Sequence, residues 1–338
     1  MISLSRSSVT RLSISGPPFP ASLFCSRLFA LYYLYAALRL YYEVNATMMR
    51  LCRPSRLWNR FYTGFCLCLL ALILLQTVWV HLDSPFRPDY AREDLSSLLA
   101  QDSYTEEAYD DLFLQTGLSP WAIDRLMEDP VRGREQIKDI QQAFFADIPV
   151  NCTPLFGFIT EEDRLPGGKA PAFANLQNGD VIVTFATHTV GWRHGHAGIV
   201  VDAARGLSLE AVVIGTDSAL VSTEHWRDYS SYLVLRLKDT TPEFRQQIAD
   251  YAAATVCGVP YHLTAGLFGS RVPDAAAGDF GVNCTYLVWY VFQHFGYDVN
   301  GGGGRIVTAR DLARSPCFEV VQLYGLDPRQ WEENRLEP

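Results

Sequence analysis

Three residues in the C-terminal half of the chain have the types and setting needed for nucleophilic catalysis. Cys284 stands in GVNCTYLVWY, immediately before an apolar helical run. A thiol at a helix N-terminus meets the positive end of the helix dipole and unpaired N–H groups, which lower its pKa and make it nucleophilic. The same N–H groups can hold a developing oxyanion. On position alone, an inert buried cysteine at a helix start is an equal reading. His196 opens the run HAGIVVD after a glycine, and Glu210 interrupts the otherwise apolar run SLEAVVI. A hairpin with an odd-numbered loop centred on Ala203 would set positions 196 and 210 opposite each other on one face. A carboxylate there would orient and tune the imidazole as the third member of a Cys-His-acid triad. The plainer reading of Glu210 is a solvated strand face.

Other motifs carry less. His188, His194 and His196 lie close together, and His194-Gly-His196 on a strand would point both rings the same way. A third ligand and its support are not identifiable, so no metal and no cofactor are expected. Of the eight cysteines, those at 25, 52, 66 and 68 belong to the head and bridge, and those at 152, 257, 284 and 317 show no C-x-x-C and no zinc spacing. Disulfides are permitted outside the cytoplasm but not demanded by the spacing. Gly301–Gly304 lacks the Lys-Ser/Thr of a phosphate loop and reads as a turn, and no G-x-S-x-G serine elbow is present. Asn151-Cys-Thr and Asn283-Cys-Thr match the glycosylation pattern by chance, the second overlapping the nucleophile.

The elements around these residues follow from periodicity. Thr105 caps a helix that Gly117 ends, Ser119-Pro120 opens a second, and a third runs from about Gly133 to Ala146. LPGGKAP, at 165–171, is turn-rich and marks a boundary. Beyond it, Asp180–Phe185, His196–Asp202, Ser208–Ile214 and Ser231–Leu237 read as strands. Thr241-Pro242-Glu243 opens a helix to about Val256, and a last helix follows Cys284 and stops at Gly296. A short antiparallel sheet with helices beside it is an α+β fold.

Charge divides the 338 residues more sharply than composition does. The net charge of −9 conceals a head, residues 1–60, with eight arginines and one acid. A bridge without Lys, Arg, Asp or Glu follows, and residues 83–338 carry 20 basic and 36 acidic groups. The acidic body excludes nucleic-acid binding as a leading function. The bridge, FYTGFCLCLLALILLQTVWV at 61–80, is long enough to cross a bilayer, with Tyr62 and Trp79 near its ends. Arg50, Arg53, Arg56 and Arg60 precede it, so the positive-inside rule places the head in the cytoplasm and residues 83 onward outside. No A-x-A-like site follows the run, which favours an uncleaved anchor over a signal peptide. Residues 1–47 are expected to be an upstream extension, with Met48 and Met49 as natural starts. The organisation expected is a basic head at 1–60, a transmembrane anchor at 61–80, a linker at 83–90, a helical spacer or lid at 91–150 and a catalytic domain at 165–330.

Taken together, LQNGDVIV, HGHAGIVVD, LEAVV, GVPY and NCTYLVWYVF resemble the NlpC-type papain-like cysteine hydrolases, in their circularly permuted, YiiX-like branch. The order is the permuted one, with the His strand before the Cys helix. The resemblance covers about residues 172–325. It implies a permuted papain-like domain in which Cys284 is the nucleophile, His196 the base, Glu210 the acidic third member and Tyr261, in GVPY, an aid to oxyanion binding. Two departures stand out: a long gap between Tyr261 and Cys284, and His262 where many permuted members carry an acid. The implied activity is cysteine hydrolysis of an amide, with cell-wall peptides as substrate class. Acyl transfer or hydrolysis of a lipid-linked amide or ester is an alternative, and a catalytically silent binding module is another.

Overall fold

A computed structural model of the chain describes residues 56–82, 85–156, 160–167, 169–275 and 278–334. The expected extension at 1–47 and the arginines at 50 and 53 lie outside them. Contacts divide the chain into two units, Met1–Leu74 and Leu75–Pro338. Helix α1, Arg56–Leu82, bears the apolar run; within it Arg60–Val80 has a mean hydropathy of 2.2 and is long and apolar enough to span a membrane.

After α1, the regular structure of the second unit continues with three capped helices. Helix α2, Glu106–Thr116, starts where Thr105 accepts from Ala108 N–H and ends at Gly117 in the left-handed region. Helix α3, Pro120–Met127, is capped by Ser119. Helix α4, Pro130–Phe144, starts three residues earlier than periodicity suggests, because Asp129 caps it and Pro130 fits the first turn, where no N–H is needed.

The strands form two antiparallel sheets. The larger has the order β10-β9-β3-β6-β7-β8, from β3 Val181–Thr184, β6 His196–Asp202, β7 Leu207–Glu210, β8 Ala219–Ser222, β9 Tyr232–Leu237 and β10 Phe318–Tyr324. The smaller has the order β1-β2-β4-β5, from β1 Asn151–Phe156, β2 Thr160–Arg164, β4 Thr187–Thr189 and β5 Trp192–Arg193. Strand β7 ends at Glu210 rather than at Ile214. The smaller sheet, β8 and β10 lie outside the runs that periodicity picks out. Strand β2, TEEDR, has no apolar residue to alternate, and β1 contains a proline.

Helices α5, Pro242–Thr255, and α6, Cys284–His294, pack against β6, and the short helix α7, Ala309–Ala313, follows. The buried apolar residues of the large sheet, of α6 and of helices α2, α3 and α4 form one cluster, including Phe113, Ile137, Ile182, Leu233 and Val288. Ser119 N–H reaches Val321 C=O at 3.0 Å, so residues 91–150 share that core through β10. The architecture is α+β with antiparallel sheets.

Candidate active site

Cys284 is the first residue of α6. Asn283 caps the helix, its side-chain oxygen accepting from Tyr286 N–H at 3.0 Å. Thr285 through Phe292 are all buried, so the helix is core on every side and its first residue is held by packing. His196 opens β6, paired with Thr184 of β3. The preceding Gly195, at φ +74°, turns the chain into the strand.

Glu210 meets His196, but not from the directly opposite position. Strands β6 and β7 pair Ile199 with Leu209 and Val200 with Ser208, and a bulge at Val201 precedes the pair of Asp202 with Leu207. This register sets Gly198 opposite Glu210 and leaves His196 on the diagonal of the same face. The carboxylate reaches along the strand to accept from His196 Nε2 at 2.9 Å. It has room because residue 198 is glycine: a Cβ there would fall 2.8 Å from Glu210 Cγ and 3.1 Å from Trp226 Cζ2. With Nε2 held by Glu210, Nδ1 is the nitrogen left for the thiol.

Three further residues hold the carboxylate. Ser208 Oγ donates to Oε1 at 2.5 Å, Trp226 Nε1 donates to Oε1 at 2.9 Å, and His225 Nε2 lies 3.3 Å from Oε2. The Trp226 ring also stacks on the His196 imidazole, centroids 5.1 Å apart and planes 15° from parallel. His225 and Trp226 come from the 3-10 helix Thr223–Asp228. Glu210 is thus fully buried but not unsatisfied.

The electrostatics couple the three groups. Burial opposes ionisation of Cys284, but the hydrogen bond and charge of His196, with the N–H groups of Ala197 and Thr285, outweigh it and hold the thiol below its ordinary pKa. Burial likewise opposes the imidazolium, yet hydrogen bonds to Cys284 and Glu210 raise His196 to about 10. Glu210 is held down at about 2: burial would raise it, but His196 and His225 prevail. The favoured state is a thiolate–imidazolium pair backed by a carboxylate.

Tyr261 joins this group through the backbone. It forms a parallel bridge with Val282, two residues before Cys284, and burial followed by the charge of Cys284 pushes its phenol up. Its N–H donates to Thr216 C=O at 3.1 Å, while the next residue, His262, donates to Val282 C=O at 2.8 Å. The loop that follows flanks the start of α6: Asn283 Nδ2 donates to Leu263 C=O, and Arg305 donates to the carbonyls of Leu267 and Gly269. Leu263, Phe268 and Val272 of this loop are exposed, as is Ile306 next to Arg305.

The three clustered histidines separate. Gly195 breaks the alternation that would align His194 with His196, and His194 Nε2 instead lies 2.9 Å from Thr189 Oγ1. His188 belongs to a second group in the smaller sheet, where the ligand atoms of Cys152, Asp163 and His188 lie within 4.8 Å of one another. Cys152 is exposed as a residue, but its sulfur turns inward to 3.5 Å from His188 Nε2. Desolvation there, with Glu161 and Asp163 beside it, pushes this thiol well up. Cys152, Cys257, Cys284 and Cys317 are all free thiols.

No protein-family model matches this chain, and no curated protein does. One solved structure is similar over part of the chain. It is described as the metalloprotein yiiX from Escherichia coli O157:H7, DUF1105, and shares 18% identity over 43% of this chain and 96% of its own, with a TM-score of 0.34.

Ser208, His225 and Trp226 are the residues around Cys284, His196 and Glu210 that sequence reasoning misses. Ser208 could have been found as the residue two before Glu210 on the same strand face. Nothing local marks His225 or Trp226, which reach the site from a separate turn.

Proposed function

We propose that this protein is a membrane-anchored cysteine hydrolase that cleaves an amide bond, with cell-wall peptides as the substrate class. The observation that carries this reading is the chain of contacts from a helix-start thiol through a raised-pKa imidazole to a buried, four-fold engaged carboxylate. In the resting pair His196 already holds the proton of Cys284. The thiolate attacks the amide carbon, and the tetrahedral oxyanion faces N–H groups at the start of α6 and the Tyr261 phenol. The imidazolium gives its proton to the leaving amine as the C–N bond breaks, leaving a thioester on Cys284. His196 then takes a proton from water, the hydroxide displaces the thiol as thiolate, and the acid product departs. Glu210 keeps the imidazole oriented throughout. The length and apolarity of the run in α1 support an anchor, and the arginines before it support a body outside the cytoplasm.

A second reading keeps the chemistry and changes the substrate. The exposed Leu263, Phe268 and Val272 of the loop after Tyr261, with Ile306 next to Arg305, favour an acyl chain, as in a lipid-linked amide or ester. Digests of wall fragments and acyl-lipid assays, run in parallel with wild type and Cys284→Ala, separate the two. Turnover of neither, with Cys284 labelling no faster than Cys257 or Cys317, would leave a silent binding module.

A further inference from the structure

The smaller sheet gathers four metal-type ligands on one face without any sequence motif. Strand pairing sets Cys152 opposite Asp163 and Glu161 opposite His188. Glu161 and Asp163 are two apart on β2, so all four side chains project to the same side. Glu162 points the other way, to Arg164 and Tyr229.

The distances on that face have a definite scale. His188 Nε2 lies 3.5 Å from Cys152 Sγ and 3.5 Å from Asp163 Oδ1. A tetrahedral zinc with bonds of about 2.3 Å to sulfur and about 2.1 Å to nitrogen or oxygen has ligand-to-ligand edges of roughly 3.4–3.6 Å. The outer contacts match as well. Arg193 holds the other oxygen of Asp163 at 2.7 Å, leaving Oδ1 turned to the cluster. The Glu161 carboxylate hydrogen-bonds the Cys152 thiol and lies 3.9 Å from His188 Nδ1, the ring nitrogen at which a carboxylate commonly orients a metal-binding histidine. Charge agrees: two buried carboxylates share the face with one guanidinium, so the face is negative before the thiol ionises. Exposure of Cys152 leaves an entry path.

We infer that this face binds a divalent zinc-type metal ion through Cys152 Sγ, His188 Nε2 and Asp163 Oδ1, with the fourth position left to water. The mixed thiolate, imidazole and carboxylate set suits zinc rather than magnesium or calcium. The ion would cross-link β1, β2 and β4, a sheet with little apolar packing of its own.

The test uses the full chain in detergent, stripped with a chelator and titrated with cobalt(II) alone. The expected result is one equivalent bound, with a thiolate-to-cobalt charge-transfer band and tetrahedral visible bands, both displaced by zinc(II). The charge-transfer band disappears in Cys152→Ser and persists in Cys284→Ser. Glu161→Gln weakens binding about 10–100-fold. Absence of the band in the wild-type chain overturns the inference whatever the variants do. So does a band that survives Cys152→Ser, or one that depends on Cys284 instead.

Discussion

Two Cys–His–carboxylate groups occur in this chain, and they differ in what stands behind the sulfur. Cys284 has helix-start N–H groups and an imidazole whose far nitrogen is held by Glu210. Cys152 sits on a strand, with Glu161 and Asp163 close to its sulfur. One environment stabilises a thiolate from within the protein. The other opposes it until a cation is supplied. The same residue types therefore suit a nucleophile in one place and a ligand set in the other, because backbone N–H groups and carboxylates act on the thiol with opposite sign.

The largest expected effect falls on turnover. Cys284→Ala should lower hydrolysis on the order of 10⁶-fold, as loss of a nucleophile does, measured as kcat/KM on the substrate that the parallel assays identify. Full activity in this variant would end the comparison. Glu210→Gln keeps the shape but withdraws the charge behind His196. A loss of about 10²–10⁴-fold is expected, with the acid limb of the pH–rate profile moved upward as the thiol returns toward its ordinary range.

The next contrast is in reactivity. At pH 7 the purified, metal-free chain should label with iodoacetamide at Cys284 about tenfold or more faster than at Cys152, read by peptide mass spectrometry. The sign across pH follows from the shifts. Cys284 lies below its ordinary pKa and His196 is raised to about 10, so the ion pair spans the interval between them. Activity should rise below the usual thiol range and fall as pH passes about 10. Because its folded pKa is raised, the His196 interaction adds stability below the ordinary histidine pKa and loses it as pH climbs through about 10. Glu210, depressed to about 2, adds stability above the ordinary carboxylate range and loses it toward that value. Equal labelling of the two cysteines throughout would erase the distinction.

Smaller effects sharpen the geometry. Gly198→Ala inserts a Cβ 2.8 Å from Glu210 Cγ and should cost about 1–3 kcal/mol in unfolding free energy by overpacking. His225→Asn removes one of four contacts to Glu210, at a partly exposed residue. A decrease of roughly two- to tenfold in kcat/KM is expected, the worth of one ordinary hydrogen bond. A larger loss would give His225 a share in proton transfer.

Much of this is legible in the sequence. Capping chemistry located the starts of α2, α3 and α5, because Ser and Thr side chains satisfy helix-start N–H groups locally. Apolar periodicity located β3, β6, β9 and α5, and the placing of Cys284 at a helix start follows from its neighbours. What periodicity could not read was polar structure. The pairing of β1, β2 and β4 is written in cross-strand partners rather than in apolar alternation, so Cys152 and Asp163 gave no local sign of a cluster. The register of β6 and β7 was also hidden. The bulge at Val201 makes the contact of His196 with Glu210 diagonal and explains the glycine at 198.

The sequence by itself determined the local elements, the apolar run at 61–80 and the positions of three candidate catalytic side chains, since each depends on residues within a few places of one another. Tertiary structure alone decided which histidine faces which cysteine, that Trp226 stacks on His196, and that four polar residues of the smaller sheet share one face. Those contacts join segments tens of residues apart, and their geometry is set by strand register and core packing, to which no single segment of the chain holds the key.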